Sequence, residues 1–121
     1  MVKTLFDTHI LIDYLNGIVL AQAELALYDD KAISIVTWME VQSGTSAADQ
    51  SAVDQFLSRF TVLPVDAAVS SEAVALQKAT KIKLPDAIVM ATAMLSHRLL
   101  VTRNTKDFSP THPGIRVPYV I

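Results

Sequence analysis

Short apolar runs alternate along this chain with stretches of helical periodicity. Val2 to Phe6 reads as a buried strand. From Asp7 the apolar positions become Ile10, Leu11, Tyr14 and Leu15, one face of a helix that Asn16-Gly17 stops. A second helix is predicted over Val19–Tyr28, with Asp29-Asp30 as the turn after it. Ala32–Val36, rich in β-branched residues, predicts a strand, and Thr37–Ser43 a helix closing near Gly44. Val53, Phe56, Leu57 and Phe60 stand at the i, i+3, i+4, i+7 positions of another helix. Thr61–Val65 reads as a short strand that Pro64, which cannot donate to a ladder, makes marginal or places at a sheet edge. Asp66–Thr80 is predicted helical, with Val69, Ala73 and Leu76 facing inward. Pro85-Asp86 opens a helix that is apolar nearly all round, the mark of a central, buried element. Arg98–Thr102 reads as a strand and Arg103–Gly114 as a polar loop, and Arg116–Ile121 offers a last short strand.

Strands alternating with helices predict an α/β fold: a central, mainly parallel sheet flanked by helices, in three layers. The 121 residues suit a single domain, 1–121, and an apolar half of the composition can fill its core. In such sheets ligands bind beyond the carboxyl ends of the strands. That rule gives weight to where the acidic groups fall.

Asp7 follows the first strand. Glu40 lies in the helix after the second strand, Asp86 opens the buried helix, and Asn104 and Asp107 follow the strand ending at Thr102. Each has an ordinary structural reading. Asp7 and Asp86 stand where helix N-caps are expected, Thr37-x-x-Glu40 matches a capping box, and Asn104 and Asp107 can stabilise a loop by side-chain turns. Together the acids point elsewhere. Carboxylates gathered on one sheet edge repel, and the only basic residues close in sequence are Lys83, Arg103 and Lys106. A divalent cation relieves that repulsion. A set of oxygen ligands, without cysteine or a paired histidine motif, favours Mg²⁺ or Mn²⁺ over Zn²⁺. Such an ion can activate water and clamp a phosphate for in-line attack.

Other chemistries are excluded by what is missing. With no cysteine there are no disulfides, zinc–thiolate sites, iron–sulfur clusters or cysteine nucleophiles. The three glycines, Gly17, Gly44 and Gly114, make neither a phosphate-binding loop nor a dinucleotide fingerprint. His9, His97 and His112 lack metal-ligand spacing. A net charge of −2 means that nucleic acid is not held by bulk charge, so any contact with it is local or bridged by cations. No apolar run is long enough to span a membrane, and Asp7 interrupts the N-terminus too early for a secretory segment. The expectation is a cytoplasmic protein with no membrane association.

Four stretches carry a family resemblance: Leu5-Phe6-Asp7-Thr8 with Ile10-Leu11-Ile12-Asp13; Ser34-Ile35-Val36-Thr37-Trp38-Met39-Glu40-Val41; Leu84-Pro85-Asp86-Ala87-Ile88-Val89-Met90-Ala91-Thr92-Ala93; and Leu100-Val101-Thr102-Arg103-Asn104-Thr105-Lys106-Asp107-Phe108. In their order and spacing they resemble the PIN-domain family, specifically the VapC-type toxins of VapBC toxin–antitoxin pairs, along the whole chain. The resemblance implies a Mg²⁺- or Mn²⁺-dependent endoribonuclease with Asp7, Glu40 and Asp86 as central acids and metal ligands. It puts Asn104 and Asp107 where the family has its variable fourth group, leaving open which of the two faces the metal. Thr8, Thr102 and Arg103 are the expected substrate contacts, with Lys106 beside them. Asp13 is expected behind the site or at the surface. The resemblance also implies a homodimer, an RNA substrate and a VapB-like antitoxin partner. Leu20, Leu25, Leu27 and Tyr28 offer a groove for the antitoxin, and Trp38 a surface for a base or a subunit.

Two other readings compete. A PIN-like module that has lost catalysis would keep the fold as an interaction surface. A phosphoacceptor receiver domain shares the length, the parallel sheet and an acidic Mg²⁺ pocket. It needs an acidic pair after the first strand and a lysine ending a late strand, and here the first strand offers only Asp7.

Overall fold

The computed structural model describes all residues, 1–121. In chain order it contains β1 (Lys3–Phe6), α1 (Thr8–Leu15), α2 (Val19–Ala26), β2 (Asp30–Ser34), α3 (Ile35–Ser43), a 3-10 turn (Ala47–Asp49), α4 (Gln50–Leu57), β3 (Thr61–Leu63), α5 (Ala67–Thr80), α6 (Leu84–Leu95), β4 (Leu99–Val101) and β5 (Ile115–Arg116). The strands form one sheet in the order β3-β2-β1-β4-β5, and every neighbouring pair is parallel. The strand Thr61–Leu63 is only three residues long, stops before Pro64 and lies at the sheet edge.

Alternate strand residues divide the core into two faces, because successive side chains of a strand point to opposite sides. Phe6, Ile33 and Val101 pack with Ile10, Leu11, Leu25, Phe56 and Phe60 under α1, α2 and α4. Their strand neighbours Leu5, Ala32 and Leu100 pack on the other side with Val89, Met90 and Ala93 of α6. A further small cluster, Val69 and Ala73 with Ala87 and Ala91, seats α5 against α6. The all-round apolarity of α6 is thus explained: one face meets the sheet and another meets α5. The result is the expected three-layer α/β arrangement.

The β2–α3 boundary differs from the sequence expectation. The strand starts at Asp30 and ends at Ser34, and Ile35 and Val36 already belong to the helix. The Ser34 side chain accepts the Val36 N–H at 3.1 Å, and this cap overrides the strand preference of two β-branched residues. Thr37 is therefore inside the helix, fully buried, and no capping box with Glu40 exists. Asp86 is not a cap either. Lys83 takes that position, and Asp86 stands in the first turn after Pro85. At the C-terminus only Ile115 and Arg116 form a strand, and residues 117–121 run on without one.

The strand order places β1 and β4 side by side although most of the chain lies between them. From β1 the chain moves to β2 and β3 on one side, then returns to β4 and β5 on the other. Segments leaving the carboxyl ends of β1 and β4 therefore part in opposite directions and leave a crevice between them. This order is not the 2-1-3-4-5 of receiver domains, so that reading of the sequence is set aside.

Candidate active site

Asp7 stands in this crevice, directly beyond β1. Phe6 is paired with Val101, so the next residues, Asp7 and Thr102, come level. The Asp7 N–H extends the ladder to the Val101 carbonyl at 2.9 Å. Its side chain is almost fully buried and both oxygens are assigned. Oδ1 accepts the Thr8 N–H at 2.8 Å, capping α1, and Oδ2 accepts the Thr102 hydroxyl at 2.7 Å. Thr102 Oγ1 also accepts the Asn104 N–H at 3.0 Å, which turns the chain after β4 back toward the crevice.

Glu40 reaches the same edge from α3. Its Oε1 accepts the Thr8 hydroxyl at 2.7 Å, and Thr8 Oγ1 lies 3.0 Å from the buried Thr37 hydroxyl. Thr8 and Thr102 are thus engaged with the carboxylates themselves. The fourth side of the crevice is the loop after β4. There Asn104 Nδ2 donates to Asp107 Oδ2 at 3.1 Å, and the Asp107 N–H donates to Asn104 Oδ1 at 3.3 Å. Asp107 in turn hydrogen-bonds Asp86 at the start of α6. The structure therefore joins Asn104 and Asp107 to the acids as one unit, with Asp107 as the member that touches Asp86.

The electrostatics register this convergence. Burial pushes the Asp7 carboxyl above its ordinary value, against the hydrogen bonds from Thr102 and Thr8 and the charge of His9, and Glu40 adds to the rise. Asp86 is pushed up to about 7, first by burial, then by its hydrogen bond to Asp107 and by the charges of Asp7, Asp107 and Glu40. Asp107 is held down, mainly by Asn104 and then by Asp86, with help from Lys83 and Lys106.

No basic side chain forms an ion pair with any of these four acids. The three salt bridges of the molecule go to Asp30, Asp13 and Glu24 instead. A cluster of oxygen donors that raise one another's proton affinity and lack a protein cation fits a hard divalent ion. No three of these side chains stand close enough together to hold a metal ion as they are placed.

Some expected roles are relocated. Arg103 does not stand free in the loop: its Nε donates to Asp13 Oδ2 at 2.6 Å and its Nη2 to Oδ1 at 3.3 Å. Asp13 is buried, not superficial, and also accepts the Tyr119 hydroxyl at 2.8 Å. Nothing in the sequence alone marks Asp13 and Tyr119 as partners. The usable signal is that Asp13 lies three residues after Ile10, on the buried stripe of its helix. Leu25 is core, whereas Leu20 and Leu27 are exposed, so the four apolar residues of that stretch do not form one groove. A different cleft, of about 420 Å³, opens beside Glu40 and is walled by Ile12, Leu15, Val41 and Val53.

A PIN-domain family model matches residues 4–111. A chain of a toxin–antitoxin complex from Klebsiella pneumoniae is 42% identical, with a TM-score of 0.92 over 98% of this chain and 100% of that one. A chain of the DNA-bound VapBC from Salmonella typhimurium is 26% identical, with a TM-score of 0.74 over 96% of each chain. A chain of FitAcB from Neisseria gonorrhoeae shares the fold at 20% identity, with a TM-score of 0.82 over 98% of this chain and 99% of that one. No curated protein sequence matches significantly. The acid crevice at the carboxyl ends of β1 and β4, the family match and the close structural likeness agree: the chain belongs to the PIN-domain family.

Proposed function

We propose that this protein is a Mg²⁺- or Mn²⁺-dependent endoribonuclease, a VapC-like toxin restrained by a VapB-like antitoxin. The observation that carries the proposal is the convergence of Asp7, Glu40, Asp86 and Asp107 without a basic partner for any of them. Asp7, Glu40 and Asp86 would hold the cation, with Asp107 and Asn104 beside them. A cation held there would polarise the phosphodiester and lower the pKa of a bound water.

The chain's own groups have definable work in this reading. Thr102 fixes the orientation of Asp7, and Thr8 fixes that of Glu40. Asp86, whose proton affinity is raised by burial and by the neighbouring acids, would give up that proton on taking the cation. Lys83 and Lys106 act on Asp107 through their charge and flank the crevice, so they supply the local positive potential that a net-negative protein needs to receive RNA phosphates. Arg103, paired with Asp13, is left out of that contact.

The 42% identity to a chain of a toxin–antitoxin complex supports an antitoxin partner. The cleft beside Glu40 has the apolar side chains of Ile12, Leu15, Val41 and Val53 in its walls, and Glu40 is the one crevice acid that lines it. It suits an amphipathic segment that lays apolar side chains along Ile12, Leu15 and Val53 and presents a basic one to the carboxylates. A homodimer belongs to the same proposal.

The deciding experiment incubates purified, partner-free protein with RNA in Mg²⁺, Mn²⁺ or a chelator and sequences the new ends. Cleavage that needs the cation and disappears in Asp7→Asn is expected. Cleavage that persists in chelator would refute the metal role, and no cleavage in either cation would favour a binding module that has lost catalysis.

A further inference from the structure

We propose that the buried Asp13 carboxylate, held by Arg103 and Tyr119, is a positioning device that sets where the loop bearing Asn104 and Asp107 stands relative to Asp7. The inference rests on the reading of the acid crevice given above, and Asp13, Arg103 and Tyr119 act through other residues.

Three segments remote in sequence meet at Asp13. Its own helix, α1, begins at the Asp7 cap. Arg103 comes from the loop after β4, 90 residues away, and Tyr119 from the C-terminal segment, 106 residues away. The Asp13 side chain is 7% exposed, and the guanidinium meets it with two nitrogens. A forked contact of this kind fixes direction as well as distance, which a single ammonium cannot do. Tyr119 is itself packed in the core among residues of α1 and α4, so its hydroxyl comes from a fixed position. No buried polar side-chain atom in the molecule lacks a partner, so the network is complete.

The placement of Arg103 gives the network its leverage. Thr102, immediately before it, binds Asp7, and Asn104, immediately after it, binds Asp107. The side chains on either side of Arg103 thus serve the acid crevice while Arg103 anchors the backbone between them to α1. With that anchor released, the loop is still held at its ends, by the Thr102 hydroxyl before it and by Asp107 and the buried Phe108 after it, but it loses its tie to α1. Ligand-orienting groups held this indirectly typically change metal affinity by about 10- to 100-fold when their supports are removed.

The test uses the whole chain with Asp13→Asn combined with Arg103→Met, a pair that leaves no buried charge unpaired. Mn²⁺ affinity is read by titration calorimetry, and amide hydrogen exchange is read at Asn104 and Asp107. The double variant is expected to keep wild-type circular dichroism, to bind Mn²⁺ about tenfold more weakly, and to exchange both amides faster while Ala73 of α5 is unchanged. Tyr119→Phe removes one hydrogen bond and no charge, and shifts both readouts the same way by less; it carries the test if the double variant does not fold. Arg103→Lys, which keeps the charge without the fork, falls between them. Wild-type Mn²⁺ affinity together with wild-type exchange at Asn104 and Asp107 overturns the proposal. If the wild-type protein binds no Mn²⁺, the metal reading fails, and the exchange rates still decide the role of Asp13.

Discussion

Thr102 Oγ1 donates a 2.7 Å hydrogen bond to Asp7 Oδ2 across 95 residues of chain. The same oxygen accepts the Asn104 N–H, so one buried hydroxyl serves two strand ends and a loop. Thr102→Val keeps the shape and removes the hydroxyl. It leaves a buried carboxylate oxygen and an amide without their partner, which costs about 1–3 kcal/mol. Urea denaturation should show that loss, and Thr102→Ser should recover most of it. A valine variant as stable as the parent would show that the bond carries no weight.

On the proposed reading, Asp7→Asn and Asp86→Asn are expected to lower RNA cleavage by about a hundredfold or more, since each would remove a ligand of the cation. The fold should survive both. In Asp7→Asn the new amide can still accept the Thr8 N–H through its carbonyl oxygen. In Asp86→Asn the neutral side chain no longer repels Asp7 and Glu40. Cleavage of labelled RNA alongside thermal unfolding separates the two effects. Either variant cutting at the parental rate would mean that the acids have been misassigned.

The cation-free protein should become less stable as pH rises through the acid range, and Asp86 should be a main reason. Unfolded, its carboxyl titrates near 3.8; folded, it keeps its proton to about 7. Between those values the folded state holds the extra proton, so the contribution is complete below 3.8 and is lost as pH climbs to about 7. Unfolding curves in chelator at pH 5 and pH 8 should therefore show Asp86→Asn gaining more, relative to the parent, at pH 8. An equal difference at both pH values would contradict the shift. Mg²⁺ added at pH 8 should restore stability to the parent and not to the variant.

Ser34→Ala and Glu40→Gln should have opposite signatures. Ser34 caps α3, so its loss costs about 1 kcal/mol of stability. Glu40 makes no cap, and glutamine can still accept the Thr8 hydroxyl, so Glu40→Gln should stay within about 0.5 kcal/mol of the parent while losing cleavage. Chemical denaturation with a cleavage assay on the same samples reads both.

Much of this arrangement was legible in the sequence because it is local. Periodicity located α1, α5 and α6, and Pro64 marked β3 as marginal or at an edge. The acids could be assigned to one sheet edge by counting strand ends. What escaped was decided by contacts the chain makes with distant parts of itself or by one competing cap. Ile35 and Val36 favour a strand, and nothing adjacent reveals that the Ser34 hydroxyl will claim the Val36 N–H. Arg103 looked free because its partner lies 90 residues back on a helix. Glu24 is buried, forms an ion pair with Arg116 92 residues away, and accepts the Tyr28 hydroxyl. Charged residues whose partners are remote read as solvated until the fold brings them together.

The strand order has a consequence for biosynthesis. Because β2 and β3 precede β4 in the chain although β4 lies beside β1, the Asp7 and Thr102 sides of the crevice are 95 residues apart in sequence. A nascent chain still short of Thr102 carries Asp7, Glu40 and Asp86 but neither the hydroxyl that aims Asp7 nor the loop that holds Asp107. A chain that stops before Thr102 therefore holds three of the acids without the contacts that fix their arrangement.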